Sequence, residues 1–320
     1  MSTLLSSRSL YYKDVNLIAQ PGKVKSRYDD IPKELYRIMV APMSAVVGKA
    51  FAKEATELGL QVCLPRFCSV DQQLAMFECA GKFKGSLWAS IGFDDNDRFQ
   101  ALLMAGCYQF VIDVANGYLP GLADMIKRLT DESGIRLIVG NVHTKEGYAN
   151  LVGEGRRDIL TRVGIGNGSA CGTSDVTGVG RGQITELMEC NLHRLERQYL
   201  YGDIIADGGV IDAGCAAKAF GCGAAYVMMG GYFRNAAEAE NIVKGDFSYW
   251  GGASHKQQIL QYGEIRRHSE GKVIEVDPAE VRPLKRLVDD LWGGLSSSVS
   301  YCGHETLSDF IGKGVFEIKA

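Results

Sequence analysis

The strongest constraint in this chain is a repeat of short apolar runs, rich in β-branched residues, each followed by a stretch with helical character. The runs read Arg37-Ile-Met-Val-Ala41, Leu60-Gln-Val-Cys-Leu64, Leu87-Trp-Ala-Ser-Ile91, Gln109-Phe-Val-Ile-Asp113, Arg136-Leu-Ile-Val-Gly140, Leu160-Thr-Arg-Val-Gly164, Asp203-Ile-Ile-Ala-Asp207 and Ala225-Tyr-Val-Met-Met229. Strands that alternate with helices imply parallel pairing, because each helix carries the chain back to the starting edge of the sheet. Eight such units predict a closed (β/α)8 TIM barrel, with an open doubly wound sheet as the weaker alternative. Barrels of this kind reach 320 residues undivided, so one domain over residues 1–320 is expected.

A barrel places its chemistry where the strands end, in the loops that lead into the following helices. Those ends carry Pro42-Met-Ser44, Pro65-Arg66, Asp113-Val-Ala-Asn-Gly117, Gly140-Asn-Val-His143, Gly164-Ile-Gly-Asn-Gly-Ser-Ala-Cys171, Asp207-Gly-Gly209 and Gly230-Gly231. Glycine lets backbone amides approach a ligand that a Cβ would hold off, so three such loops on one rim point to an anion cradle. Carbonyls of the Gly166-to-Cys171 loop are also candidates for a monovalent cation. After the eighth unit, residues 245–272 are polar and weakly periodic, which predicts a lid.

Cys171 sits inside the glycine-rich loop, whereas Cys63, Cys107 and Cys222 fall in apolar runs. The cysteine count is nine, odd and scattered, which argues for free thiols in a reducing compartment rather than a disulfide framework. A loop thiol among exposed amides is the nucleophile candidate. Thr173 is placed to relay a proton, and Glu270 in the lid segment is a candidate acid or base. Zinc has no support, since Cys-x-x-Cys and His-Glu-x-x-His are both missing. Gly164-x-Gly166 fails the dinucleotide-binding spacing at the third glycine, so a nicotinamide cofactor would have to lie across the barrel mouth. A net charge of −3 gives no global attraction to polyanions, so neither nucleic acid nor a membrane surface is an expected partner. No secretory signal or membrane span is legible, and a cytoplasmic location is expected.

At these residues the sequence resembles the IMP dehydrogenase and GMP reductase family. Val163-Gly-Ile-Gly-Asn-Gly-Ser-Ala-Cys171-Gly-Thr173 looks like the family's nucleophile loop, continued by Thr177-Gly-Val-Gly180. Asp113-Val-Ala-Asn-Gly-Tyr118, Gly140-Asn-Val142, Ala206-Asp-Gly-Gly209, Ala217-Lys-Ala-Phe220 and Val227-Met-Met-Gly-Gly231 follow in family order, and Lys13-Asp-Val15 with Ser26-Arg27 resembles its N-terminal segment. The chain is similar to the GMP reductase branch: Arg66 to Leu87 leaves no room for a regulatory insertion, and Ser269-Glu-Gly-Lys272 looks like a reductase lid motif. The Arg-Tyr pair of the dehydrogenase flap has no counterpart.

The resemblance implies reductive deamination of GMP, or a close guanine nucleotide, to IMP with NADPH, through a covalent adduct of Cys171 assisted by Thr173 and Glu270. It implies that Ser169, Gly208, Gly209, Gly230 and Gly231 hold the phosphate, that Asp207 holds the ribose, and that Gly251, Gly252, Arg267 and Gly271 frame the base. Ser26, Arg27, Arg66, Asp113, Val114 and Ala115 would face the cofactor, with Ser297, Ser298 and Ser300 contributed by a neighbouring subunit of a homotetramer. Carbonyls of Gly166, Gly168 and Cys171 would bind potassium (K+). Pro65, Gly172, Arg181-Gly182, Gly252 and Ala253 depart from the family pattern, which implies an altered base pocket and leaves room for a modified or deoxy purine nucleotide. The alternatives are NAD-dependent oxidation of IMP to XMP and a non-catalytic purine nucleotide-binding barrel.

Overall fold

The computed structural model describes residues 8–22, 24, 31–131 and 134–319. A short strand β1 (Val15–Leu17) precedes β2 (Ile38–Val40), β3 (Gln61–Leu64), β4 (Leu87–Ile91), β5 (Gln109–Ile112), β6 (Arg136–Val142), β7 (Ile159–Val163), β8 (Ile204–Asp207) and β9 (Tyr226–Met229). Strands β2 to β9 pair in parallel in sequence order, and β9 pairs back onto β2, so the sheet closes into an eight-stranded barrel. Each of the eight apolar runs supplies one of these strands.

Closure is possible because both strand faces are apolar. One face lines the barrel interior, where Met39, Cys63, Trp88, Val111, Ile138, Leu160, Ile205 and Met228 pack together. The alternate residues, such as Ile38, Val62, Phe110 and Ile204, face the surrounding helices. The helix Leu122–Thr130 shows the matching pattern, burying Leu122, Met125, Ile126 and Leu129 at helical spacing. Each such side chain contributes roughly 1.5–3 kcal/mol on leaving water. Among the described residues no helix is long and apolar enough to cross a membrane.

Two features outside the barrel and one in its wall complete the architecture. Residues 245–275 form an antiparallel hairpin of β10 (Ser248–Trp250) and β11 (Val273–Glu275). Between them lies an eight-residue helix, His255–Tyr262. Its first turn is capped by Ser254, whose hydroxyl accepts from the Gln257 amide at 3.1 Å. The weak periodicity of this segment therefore conceals regular structure. At the other end of the chain, β12 (Phe316–Ile318) pairs with β1. Finally, β6 runs two residues beyond its apolar run, with a register shift between Gly140 and Val142, which makes Asn141 part of the barrel wall.

Candidate active site

Past β7 the chain turns tightly, and the Cys171 amide donates to the Gly168 carbonyl at 2.9 Å. The Cys171 thiol donates to Thr173 Oγ1 at 3.3 Å, and Thr173 Oγ1 donates in turn to Glu270 Oε2 at 3.2 Å. Glu270 reaches this position because the lid hairpin pairs with the loop. Cys171 and Gly271 form an antiparallel bridge. The Gly172 amide donates to the Glu270 carbonyl at 2.6 Å, and the Lys272 amide donates to the Ala170 carbonyl at 2.9 Å. Lys272 Nζ adds an ion pair to Asp175 at 2.6 Å. Glycine is required at 271, where a Cβ would stand 2.6 Å from the Ser254 backbone nitrogen. Thiol, hydroxyl and carboxylate thus form one hydrogen-bonded chain, an arrangement able to pass a proton.

Beside this path lies a pocket at the barrel mouth lined by Ser169, Asp207, Gly208, Gly209, Gly230 and Gly231, with Met43 and Tyr249 closing one side. A Cβ at Gly231 would fall 2.5 Å from Ser169 Oγ, so that glycine admits the serine. Tyr249 is buried and its hydroxyl donates to Met43 Sδ at 2.9 Å. Burial pushes its phenol well above the usual range, so it stays neutral and available as a hydrogen-bond donor.

A line of charges crosses the floor. Arg162, projecting from β7, donates through Nε to Asp207 Oδ2 at 2.8 Å and through Nη1 to Asp113 Oδ1 at 3.1 Å. Asn141 Nδ2 donates to the same Asp207 oxygen at 2.7 Å. Arg66 Nε donates to Asp113 Oδ2 at 3.2 Å and stacks over the Phe67 ring at 4.3 Å. Burial disfavours the Arg162 cation, but the fields of Asp207 and Asp113 outweigh it and hold the guanidinium charged. The two carboxylates are thereby compensated and oriented toward the mouth.

Arg162, Asn141 and Tyr249 were not among the residues expected to act. Arg162 did carry a signal: an arginine in the middle of an otherwise apolar strand is costly unless paired, and its partners had to lie at the neighbouring strand ends. Asn141 stood in the strand-end segment Gly140-Asn-Val-His143 without being singled out, and Tyr249 carried no signal, because nothing local distinguishes it from an ordinary strand residue.

The remaining expected residues divide. Gly251 and Gly252 follow β10, where a Cβ at 251 would meet the Ala170 carbonyl at 2.5 Å and one at 252 the Phe67 ring at 2.9 Å. Arg267 is held through its backbone by Gln258, and its side chain is exposed. Val114 and Ala115 follow Asp113 in the rim loop after β5. The Gly166 carbonyl accepts from Ser174 Oγ at 3.3 Å and the Gly168 carbonyl from the Cys171 amide. Ser297, Ser298 and Ser300 are not brought to this pocket within the chain. They lie on the helix Leu284–Tyr301, and the hydroxyls of Ser297 and Ser298 bond back to the carbonyls of Gly293 and Gly294. Ser26 and Arg27 lie outside the described residues.

Other thiols are poor competitors for Cys171. Burial pushes Cys63, Cys190 and Cys222 far above the usual thiol range and Cys107 up to about 11. Cys68, Cys79, Cys171 and Cys215 are only partly buried, and of these Cys171 alone lies in the glycine-rich loop beside the pocket.

Comparison with known proteins adds an independent line. A family model described as the IMP dehydrogenase / GMP reductase domain matches residues 10–319. The chain is 30% identical to the GMP reductase of Onchocerca volvulus over 347 residues, covering 99% of this chain and 92% of that one. It is 30% identical to the GMP reductase of Edwardsiella ictaluri, with 96% and 93% covered. It is 31% identical to GMP reductase 1 of Mus musculus, with 91% and 85% covered.

Proposed function

The chain belongs to the IMP dehydrogenase / GMP reductase family, and from that premise we propose that it is a GMP reductase-like oxidoreductase, converting GMP or a close guanine nucleotide to IMP and ammonia with NADPH. The observation that carries this reading is the Glu270 carboxyl bonded to Thr173 beside the Cys171 thiol; in this reading the carboxyl serves as the acid for the departing amino group.

In this reading the 5′-phosphate lies in the pocket of Ser169, Gly208, Gly209, Gly230 and Gly231, with Tyr249 as an additional donor. Asp207, held by Arg162 and Asn141, takes the ribose hydroxyls. Gly251, Gly252, Gly271 and Arg267 frame the purine, with residues 245–272 as the lid. The Cys171 thiol adds to C2, and its proton passes to Thr173. Thr173 and Glu270 then protonate the 2-amino group, which leaves as ammonia and leaves C2 bonded to sulfur. Hydride added at C2 lets the thiolate depart, giving IMP.

The mouth suits the nicotinamide end of a dinucleotide. Arg66 and Asp113 are half-buried beside the pocket, and Val114 and Ala115 continue that wall. NADPH, when bound, supplies the hydride. The carbonyls of Gly166, Gly168 and Cys171 would supply oxygen ligands to potassium, whose charge would steady the loop. In a homotetramer, Ser297, Ser298 and Ser300 of an adjacent copy would complete the cofactor site, and the enzyme would work in the cytoplasm.

The test is a panel of GMP, dGMP, IMP and XMP with each nicotinamide cofactor, following ammonia and absorbance together. Ammonia release coupled to NADPH loss with a guanine nucleotide is expected. NADH formation from IMP with no ammonia from any guanine nucleotide would assign the chain to the dehydrogenase reaction instead.

A further inference from the structure

Glu186 lies one turn into the helix Gln183–Glu196 and is completely buried. Its Oε2 accepts from Asn167 Nδ2 at 3.3 Å, while its Oε1 has no partner among the described residues. Asn167 belongs to the nucleophile loop. Its backbone packs on the phosphate-pocket glycines: Cβ atoms built at Gly208 and Gly209 would fall 3.0 Å from the Gly168 nitrogen and 3.3 Å from the Asn167 carbonyl. The same helix ties the two loops from below, since Gln183 Nε2 donates to the carbonyls of Val163 and Asp207 at 2.9 and 3.2 Å.

We propose that Glu186 is a positioning residue for the reaction: sealed beneath the loop, it holds Asn167 and so sets Cys171 in register with the phosphate pocket. The inference rests on the reading of Cys171 as nucleophile. A carboxyl is an expensive choice here, because an apolar residue would fill the space without burying a polar group. Costly polar groups of this kind persist where a site needs them. Burial pushes the Glu186 carboxyl up to about 9, against the pull of Arg181 and with the push of Glu189, so it is protonated at neutral pH. The other titratable neighbours are Cys190 on the same helix and Tyr12 on the N-terminal segment, both held neutral by burial. No counter-charge is needed, and the position requires a neutral group that accepts a hydrogen bond, which glutamine also provides.

The experiment compares Glu186→Gln, Glu186→Ala, Asn167→Ala and the double alanine variant in the full chain. Three readouts are taken: kcat and KM for nucleotide, hydrogen exchange of peptides spanning 164–172, and calorimetric GMP binding. Glu186→Ala is expected to lower kcat at least tenfold with KM changed less than threefold, and to speed loop exchange at least fivefold. Glu186→Gln should restore both. The double variant should be no worse than either single one, because both remove the same link. Wild-type exchange and kcat in Glu186→Ala, equal impairment in the Gln and Ala variants, or additive losses in the double variant would each overturn the proposal. If Glu186→Ala does not fold, the surface-loop variant Asn167→Ala decides by the same kcat and exchange criteria. Exchange needs no turnover, so a wild-type enzyme inactive on every guanine nucleotide would remove the functional reading while leaving this inference testable.

Discussion

Glu270 Oε2 and Thr173 Oγ1 stand 3.2 Å apart although 97 residues separate them along the chain. No single element brings them together. Thr173 opens the short helix after the nucleophile loop, and Glu270 arrives on the returning arm of the lid, fixed by the pairing of Gly271 with Cys171. The pairing that docks this hairpin on the glycine-rich loop therefore also completes the hydrogen-bonded chain from Cys171 through Thr173 to Glu270.

From that relationship, Glu270→Gln should slow ammonia release at least tenfold while leaving nucleotide binding nearly unchanged. Glutamine keeps the hydrogen bond but cannot donate a proton to the leaving group, and loss of a general acid typically costs about 10²- to 10⁴-fold. Stopped-flow ammonia and NADPH traces, set beside nucleotide Kd, check this.

Alkylation should inactivate through Cys171 alone, and saturating nucleotide should protect it, since the most buried thiols are inaccessible and the partly buried Cys68, Cys79 and Cys215, also pushed up by burial, lie outside the glycine-rich loop. Peptide mass spectrometry after iodoacetamide treatment locates the label. Substantial turnover in Cys171→Ala would exclude the covalent route.

Gly271→Ala should reduce kcat severely without unfolding the barrel. The new methyl would meet the backbone of Ala253 and Ser254 at 2.6–3.0 Å, where no flexible side chain can give way, and the lid strand would have to leave Cys171. Circular dichroism should keep its wild-type form while Thr173 and Glu270 lose their coupling in a double-mutant cycle.

Removing the cation between Asp207 and Asp113 leaves Asp207 with the Asn141 amide and no cation, and Asp113 with Arg66 alone. Breaking a buried pair in this way costs about 3–5 kcal/mol, so Arg162→Met should lower Tm clearly and weaken nucleotide binding through a displaced Asp207. Thermal melts with and without GMP separate the two effects. A variant with unchanged Tm would show that the network contributes little to stability.

Stability should also report Glu186. Its carboxyl is up at about 9 in the fold against an ordinary value of 4.5. The folded protein therefore keeps a proton that the unfolded chain gives up in between. The contribution of that proton to stability is present in full below about pH 4.5 and is lost as pH rises through 9. Glu186→Gln, which has no proton to lose, should gain Tm relative to wild type between pH 5 and pH 9, with the gap widest at the alkaline end. A gap that stays constant across this range would mean that the carboxyl does not titrate as described.

Local pattern was enough for the barrel and for the ends of its strands, because apolar runs of strand length and helical periodicity are properties of neighbouring residues. It was enough to single out Cys171 as a candidate as well: a thiol among closely spaced glycines differs from thiols inside apolar runs wherever the chain then goes. Arg162, Asn141 and Tyr249 belong to the site for a different reason. Barrel closure sets the register between β6, β7 and β8, and that register puts Arg162 and Asn141 on one oxygen of Asp207, 45 and 66 residues further along the chain. Tyr249 enters from the lid strand to stand beside Ser169 and Met43. Only the tertiary structure decided these contacts, because hydrogen bonds and ion pairs depend on angstrom-scale distances across strands, and nothing in the order of residues within one strand encodes what the next strand places opposite.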